Sequence, residues 1–162
     1  MTETPDTRAA APRGRFYEDF AVGQIIAHPR GRTVEAGDAI LFTTSMMNTN
    51  PLYFNAHRAR EAGHPAMVID PLYVWNIVFG MTVEDLSFNV FGAGNLGYPT
   101  IEFVKAVYPG DTLYAESEVL DVTPWKKRDD CGVVHVRTIG TRPGGDVVLR
   151  YERKILVKKR GA

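Results

Sequence analysis

The sequence predicts an α+β fold in which one antiparallel sheet wraps around a central buried helix. Two observations carry this expectation. Asp70-Pro71 is a strong helix start, an N-cap residue followed by proline at the first helical position. The run it opens, residues 72–80, is apolar nearly all round, and a helix without a polar face needs cover, most simply from a sheet. From Asn89 onward the period changes to that of strands rich in Val, Ile, Tyr, Phe and Thr.

Each element follows in order. Residues 1–14 lack the apolar spacing that buries a face and read as a flexible tail, leaving 15–162 as one domain. Order is expected to begin at Phe16, Tyr17 and Phe20, ahead of a turn at 22–24 and a short strand over 24–28. Thr33 offers an N-cap, acids follow in the first turn, and Ile40, Leu41, Thr44 and Met47 recur at helical spacing, which predicts a helix over 35–47. A loop at 48–55 leads to a short exposed helix over 55–62, closed by Gly63. After the central helix come strands at 88–91, 100–107, 112–123, 132–141 and 146–157, separated by turns at 109–111, 126–130 and 142–145.

Composition narrows the function classes. The 162 residues, 44% hydrophobic and 23% charged, suit a single domain with a sizeable core. Nineteen basic and nineteen acidic residues cancel, so no net field draws the chain to nucleic acid or to an anionic membrane. Cys131 is alone and cannot form an internal disulfide, and the N-terminus has no apolar run of signal or membrane-spanning length; a cytoplasmic protein is expected. No Cys/His spacing suggests a metal site and no G-x-S-x-G elbow is present. Gly92, Gly94 and Gly97 match the spacing of a nucleotide-binding loop, but they lead into strand-like sequence at Tyr98-Pro99-Thr100. They read instead as allowing a strand bend or the close approach of a ligand.

The loop Asn48-Thr49-Asn50-Pro51-Leu52-Tyr53-Phe54-Asn55 is the principal motif. It resembles the D-x-N-P-x-H-x-D loop of MaoC-like enoyl-thioester hydratases, with Asn48 where the aspartate stands and Tyr53 where the histidine stands. With the element order around it, the chain resembles the hot-dog fold of the MaoC-like dehydratase family over about residues 16–158. Residues 77–86, Asn95-Leu96-Gly97-Tyr98 and 107–113 look closest to the mesaconyl-CoA hydratase (β-methylmalyl-CoA dehydratase) group, whose members carry two hot-dog units in one chain. The resemblance implies a hydro-lyase, an enoyl-CoA hydratase or 3-hydroxyacyl-CoA dehydratase acting on a short, branched or carboxylated acyl group. The group would arrive as a coenzyme A or carrier-protein thioester, with no further cofactor. A homodimer or higher homo-oligomer would supply the second unit and a substrate tunnel between the two, and Asn50, Asn55, Asn95 and Gly97 would contact substrate. The basic runs 126–128 and 158–160 read either as contacts for coenzyme A phosphates or as solvated charge.

Such chemistry needs a base to activate water, an acid to protonate the α-carbon, and N–H donors for the enolate oxygen. Asn48 cannot titrate, and Tyr53, with a reference pKa of about 10, is a poor base at neutral pH. Two residues could take over. Asp70 reads either as a carboxylate near the reacting carbons or as a helix N-cap. His64 reads either as a proton donor and acceptor or as a surface-loop histidine. His57, among Arg58, Arg60 and Glu61, belongs to a solvated face, and His28 and His135 are strand residues without motif support. Tyr53 and Asn48 could orient water or hold an oxygen of the substrate; alternatively Tyr53 packs, and Asn48, Asn50 and Asn55 satisfy the turn backbone. Two other functions stay open: a different thioester reaction such as hydrolysis, and a non-catalytic subunit whose partner contributes the intact loop.

Overall fold

A computed structural model describes residues 14–161. The tail expected over 1–14 lies outside the described residues except for Gly14, which is built into the domain: its N–H donates to the Glu84 carbonyl at 3.1 Å. Its φ of +78° and the 2.6 Å that would separate an added Cβ from the Phe88 side chain require glycine there.

The elements are β1 (Ile25–Thr33), α1 (Ala36–Ser45), α2 (Ala56–Glu61), α3 (Pro71–Leu86), β2 (Val90–Gly97), β3 (Ile101–Phe103), β4 (Thr112–Pro124), β5 (Cys131–Thr141) and β6 (Val147–Lys158), with 3-10 turns at Tyr17–Asp19 and Pro51–Tyr53. One antiparallel sheet runs β1-β4-β5-β6-β2, with β3 also on β6. Strands β4, β5 and β6 form a long meander in which alternate residues point inward, among them Leu113, Val119, Val134, Val136, Leu149, Tyr151 and Ile155. Helix α3 lays Val74, Val78, Thr82 and Leu86, one every fourth residue, onto this concave face. The core has two apolar parts, one around Val74, Val78, Leu113 and Leu149 and one around Leu86, Val119, Val134 and Ile155. Buried polar residues, His28, Thr82, Ser117, Thr138 and Arg153, also face inward.

The α+β wrap is as the sequence predicts, with local corrections, the first being that the strand expected at 88–91 is β2, Val90–Gly97. Helix α3 continues to Leu86 and is covered on one face only: Leu72 is 52% exposed and Asn76 and Gly80 are exposed as well. The strand expected at 24–28 runs on to Thr33 through a register shift after His28. Thr33 therefore ends a strand, where its hydroxyl meets that of Thr112 at 2.8 Å, and Glu35 takes the N-cap of α1 without a side-chain bond. The strand expected at 100–107 shrinks to Ile101–Phe103, because the Val104 and Lys105 N–H groups both turn to the Val148 carbonyl.

Candidate active site

The loop after α1 is wired by its own asparagines. The Asn48 N–H closes the end of α1 on the Thr43 carbonyl at 3.1 Å, and the Asn48 carbonyl oxygen Oδ1 accepts from the Asn50 N–H at 3.1 Å. Asn50 Oδ1 accepts from Leu52 N–H at 3.1 Å, and Asn55 Oδ1 accepts from His57 and Arg58 N–H at 3.0 and 3.1 Å, capping α2. Asn48 has a second half to its side chain, and this half leaves the loop: Nδ2 donates to Asp70 Oδ2 at 2.9 Å. The other carboxylate oxygen of Asp70, Oδ1, accepts from Leu72 N–H at 2.9 Å, so Asp70 caps α3 and is 3% exposed.

Tyr53 completes the cluster. It is half-buried, its hydroxyl bonds with the Asn50 side chain, and it lies within electrostatic reach of Asp70. Burial pushes its pKa up, the Asp70 charge adds to this, and the Asn50 bond opposes it in part. The hydroxyl is therefore a neutral hydrogen-bond donor at physiological pH. Two clefts adjoin the cluster. One, of about 220 Å³ and mostly apolar, lies against Ile69, Pro71 and Val74 on either side of Asp70. The other, of about 280 Å³, is lined by Asn48, Met47 and Phe54.

Of the residues singled out in the sequence, the structure brings Asn48, Asn50, Tyr53 and Asp70 together. His64 sits apart from these bonds, its Nδ1 3.1 Å from the Tyr108 hydroxyl. Asn55 serves α2. Asn95 and Gly97 lie on β2, where Asn95 Oδ1 approaches Arg153 Nη1 at 3.4 Å beside Ser87 at the far end of α3. At 1.5 Å per residue, Thr82 in that region is about 18 Å along the helix from Asp70. His57 pairs with Glu61 on the exposed face at 3.4 Å and His135 with Glu152 at 3.0 Å. Lys126 and Lys127 line a groove of about 430 Å³ with Trp125 and Lys154 on the outer side of the sheet, and Arg160 pairs with Asp19. Among the described residues no three His, Cys, Asp or Glu side chains converge as a metal site, and no helix is long and apolar enough to cross a membrane. Gly92, Gly94 and Gly97 fall in strand β2, with no helix after them.

The sequence reading missed His28. Its Nδ1 lies 2.6 Å from Asp85 Oδ2 and its Nε2 2.9 Å from Ser117 Oγ, which in turn is 2.8 Å from Thr138 Oγ1. The connectivity is that of a Ser-His-Asp triad, but Ser117 is fully buried and lines none of the clefts described above. The network joins α3 to the sheet, with Arg15 donating to the second Asp85 oxygen at 3.3 Å. Burial lowers the His28 pKa, only partly opposed by Asp85. A signal was available: His28 is in phase with Ile26, on the inward side of β1.

A six-stranded antiparallel sheet wrapped over one long helix, with an N-x-N-P loop meeting that helix at its N-cap, defines a MaoC-like hot-dog domain. The family model described as mesaconyl-CoA hydratase matches residues 2–162, and the chain belongs to that family. It is 41% identical over 147 residues to a mesaconyl-CoA hydratase of Cereibacter sphaeroides, covering 91% of this chain and 42% of that protein. It is 40% identical to a beta-methylmalyl-CoA dehydratase of Chloroflexus aurantiacus, covering 91% of this chain and 41% of the relative. A solved MaoC domain protein dehydratase from Chloroflexus aurantiacus superposes with a TM-score of 0.85 at 40% identity, over 94% of this chain and 42% of that one. The chain thus spans about two fifths of the length of these relatives.

Proposed function

We propose that the chain is an enoyl-CoA hydratase, adding water reversibly to a short, branched or carboxylated enoyl thioester. The observation that carries this is the 2.9 Å bond from Asn48 to Asp70. The family loop lacks its aspartate here, yet a carboxylate stands against the substituted position, contributed from the start of α3. In this reading Asp70 takes a proton from water as the water oxygen bonds to the β-carbon. The electron pair of the double bond passes to the thioester oxygen, and the α-carbon then takes up a proton, restoring the carboxylate. The Tyr53 hydroxyl donates to the enolate oxygen, and the positive end of the α3 dipole favours the same charge. His64, held on Tyr108, is the second candidate for proton transfer. The substrate arrives as a coenzyme A or carrier-protein thioester and the reaction calls on no other cofactor.

The catalytic unit is proposed to be a pair of hot dogs, which the length of the relatives supports. A second copy supplies the missing unit. Leu72, Met46, Met47 and Phe54, all exposed around the loop and the start of α3, are the apolar surface it would cover. Light scattering should return at least twice the 18.0 kDa chain mass. Incubating the purified chain with a panel of enoyl-CoAs and 3-hydroxyacyl-CoAs, following both water addition and free-thiol release, tests the reaction. Water addition is expected. Thiol release without hydration would assign the chain to thioester hydrolysis, and an inactive homo-oligomer would make it a subunit that needs an intact loop from another chain.

A further inference from the structure

Arg153 on β6 is fully buried, in phase with Tyr151 and Ile155 on the inward side of the sheet. Its partners are neutral oxygens: Nη1 donates to Ser87 at 3.3 Å and to Asn95 at 3.4 Å, and Nη2 to Thr82 at 3.3 Å. Nε has no partner. The guanidinium carbon stands 4.9 Å over the Phe79 ring, and no carboxylate among the described residues pairs with it. Burying a cation without a counter-charge costs several kcal/mol, so the fold does not gain stability by keeping it. A guanidinium stays charged, and its fork matches a carboxylate at two points.

A second, independent feature lies next to it. Strand β2 is out of step with β6: Val90 pairs with Val157 and Asn95 with Ile155, so five steps on β2 meet two on β6. Gly92 and Gly94 make this bulge at φ of +61° and +74°. An added Cβ at Gly94 would come within 2.5 Å of the Val90 side chain. The bulge presents Asn95, which is exposed, directly onto the buried guanidinium. Of the three side chains bonded to Arg153, Asn95 is the exposed one, Ser87 is half-buried and Thr82 is buried. These are the glycines whose spacing imitates a nucleotide loop, and here they shape a strap over Arg153.

We propose that Arg153, with Thr82, Ser87 and Asn95, is the subsite for the free carboxylate of a dicarboxylic acyl thioester, which enters by displacing the Asn95 amide and takes up the Nη1 and Nη2 donors at the end of the guanidinium. The inference rests on the hydratase reading above and assigns the side chains that receive the carboxylate. Within one protomer Asp70 and Thr82 are about 18 Å apart along α3, more than a four-carbon diacid can span. The reacting thioester therefore belongs to the loop of the second copy.

The test compares mesaconyl-CoA with 2-methylbut-2-enoyl-CoA, in which a methyl group replaces the free carboxylate. The wild-type chain should prefer the carboxylated substrate by about 100-fold or more in kcat/KM. Arg153→Gln should cut that ratio by a similar factor. So should Asn95→Asp, which sets a carboxylate on the guanidinium from an exposed position that tolerates exchange. Arg153→Lys, which keeps the charge and loses the fork, should recover only part of the preference. A wild type without preference, or a ratio unmoved by Asn95→Asp and Arg153→Gln, overturns the subsite and leaves the hydratase reading standing. If neither thioester is hydrated, it is the hydratase reading that fails. Thermal melting with free mesaconate then decides the subsite: a rise in Tm in the wild type that Asn95→Asp abolishes keeps it, and no rise removes it.

Discussion

The two ends of α3 treat charge in opposite ways. At its start the Asp70 carboxylate is held by two neutral donors, the Asn48 amide and the Leu72 N–H, with no cation among the described residues bonded to it. Toward its end the Arg153 guanidinium meets, among the described residues, hydroxyls and an amide and no anion. Each charge lies at the helix end whose dipole favours it. The difference is in duty. Asp70 caps the helix whatever else it does, so its charge and its capping must be separated by experiment, whereas Arg153 has no cap to make and leaves one donor idle.

The sharpest way to separate them is Asp70→Asn. Asparagine keeps the cap on Leu72 N–H but turns its NH2 toward that of Asn48, so about 1–3 kcal/mol should be lost for that contact alone while kcat for hydration falls by about 10²- to 10⁴-fold. Asp70→Ala should lose the same activity and also about 1–2 kcal/mol in urea unfolding. If the Asn variant keeps its activity, the carboxylate is only a cap. Tyr53→Phe should lower kcat by about 10²- to 10³-fold with KM little changed, the signature of one lost donor to a developing oxyanion. At the other end, Arg153→Met should leave stability unchanged or raise it by about 1–4 kcal/mol, because an unpaired buried charge is exchanged for an apolar chain. A large loss in urea unfolding would reverse the comparison and make Arg153 a structural residue.

The smallest effect belongs to His28. Its folded pKa is lowered chiefly by burial, against Asp85, with Arg15 and Arg153 adding to the lowering. An unfolded histidine takes its proton near pH 6.5, so below that point the unfolded chain binds more protons than the folded one. The stability that neutral His28 contributes is therefore present above about pH 6.5 and is lost as pH falls through the folded pKa. Thermal melting between pH 7.5 and 5 should show that decline, and His28→Gln should flatten it.

Much of the fold was legible because local signals agreed with it. Asp70-Pro71, Asn55 with Gly63, and the alternation in β4 to β6 each mark an element that the structure contains. The full cover expected for α3 was not legible, since an apolar sequence does not say whether sheet or a second copy covers each face. The loop was readable as a motif, but the contact of Asn48 with Asp70 joins residues 22 positions apart and exists only once the loop folds back onto the helix start. His28 and Arg153 were passed over for a related reason: a polar residue in a strand is taken to face water, and both face inward.

The segment between α2 and α3 reaches the rest of the domain through few backbone bonds, Val68 to Leu52 at 3.0 Å, His64 to Ala59 at 3.0 Å and Ile69 to Val107 at 2.9 Å, whereas β4, β5 and β6 are laced along their lengths. Protection against amide exchange is therefore graded through the chain. The meander exchanges only when the whole domain unfolds, while the loop and the cap of α3 exchange through openings that leave the sheet intact. In the proposed reaction, substrate entry would draw on those openings without loosening the sheet against which the start of α3 is held.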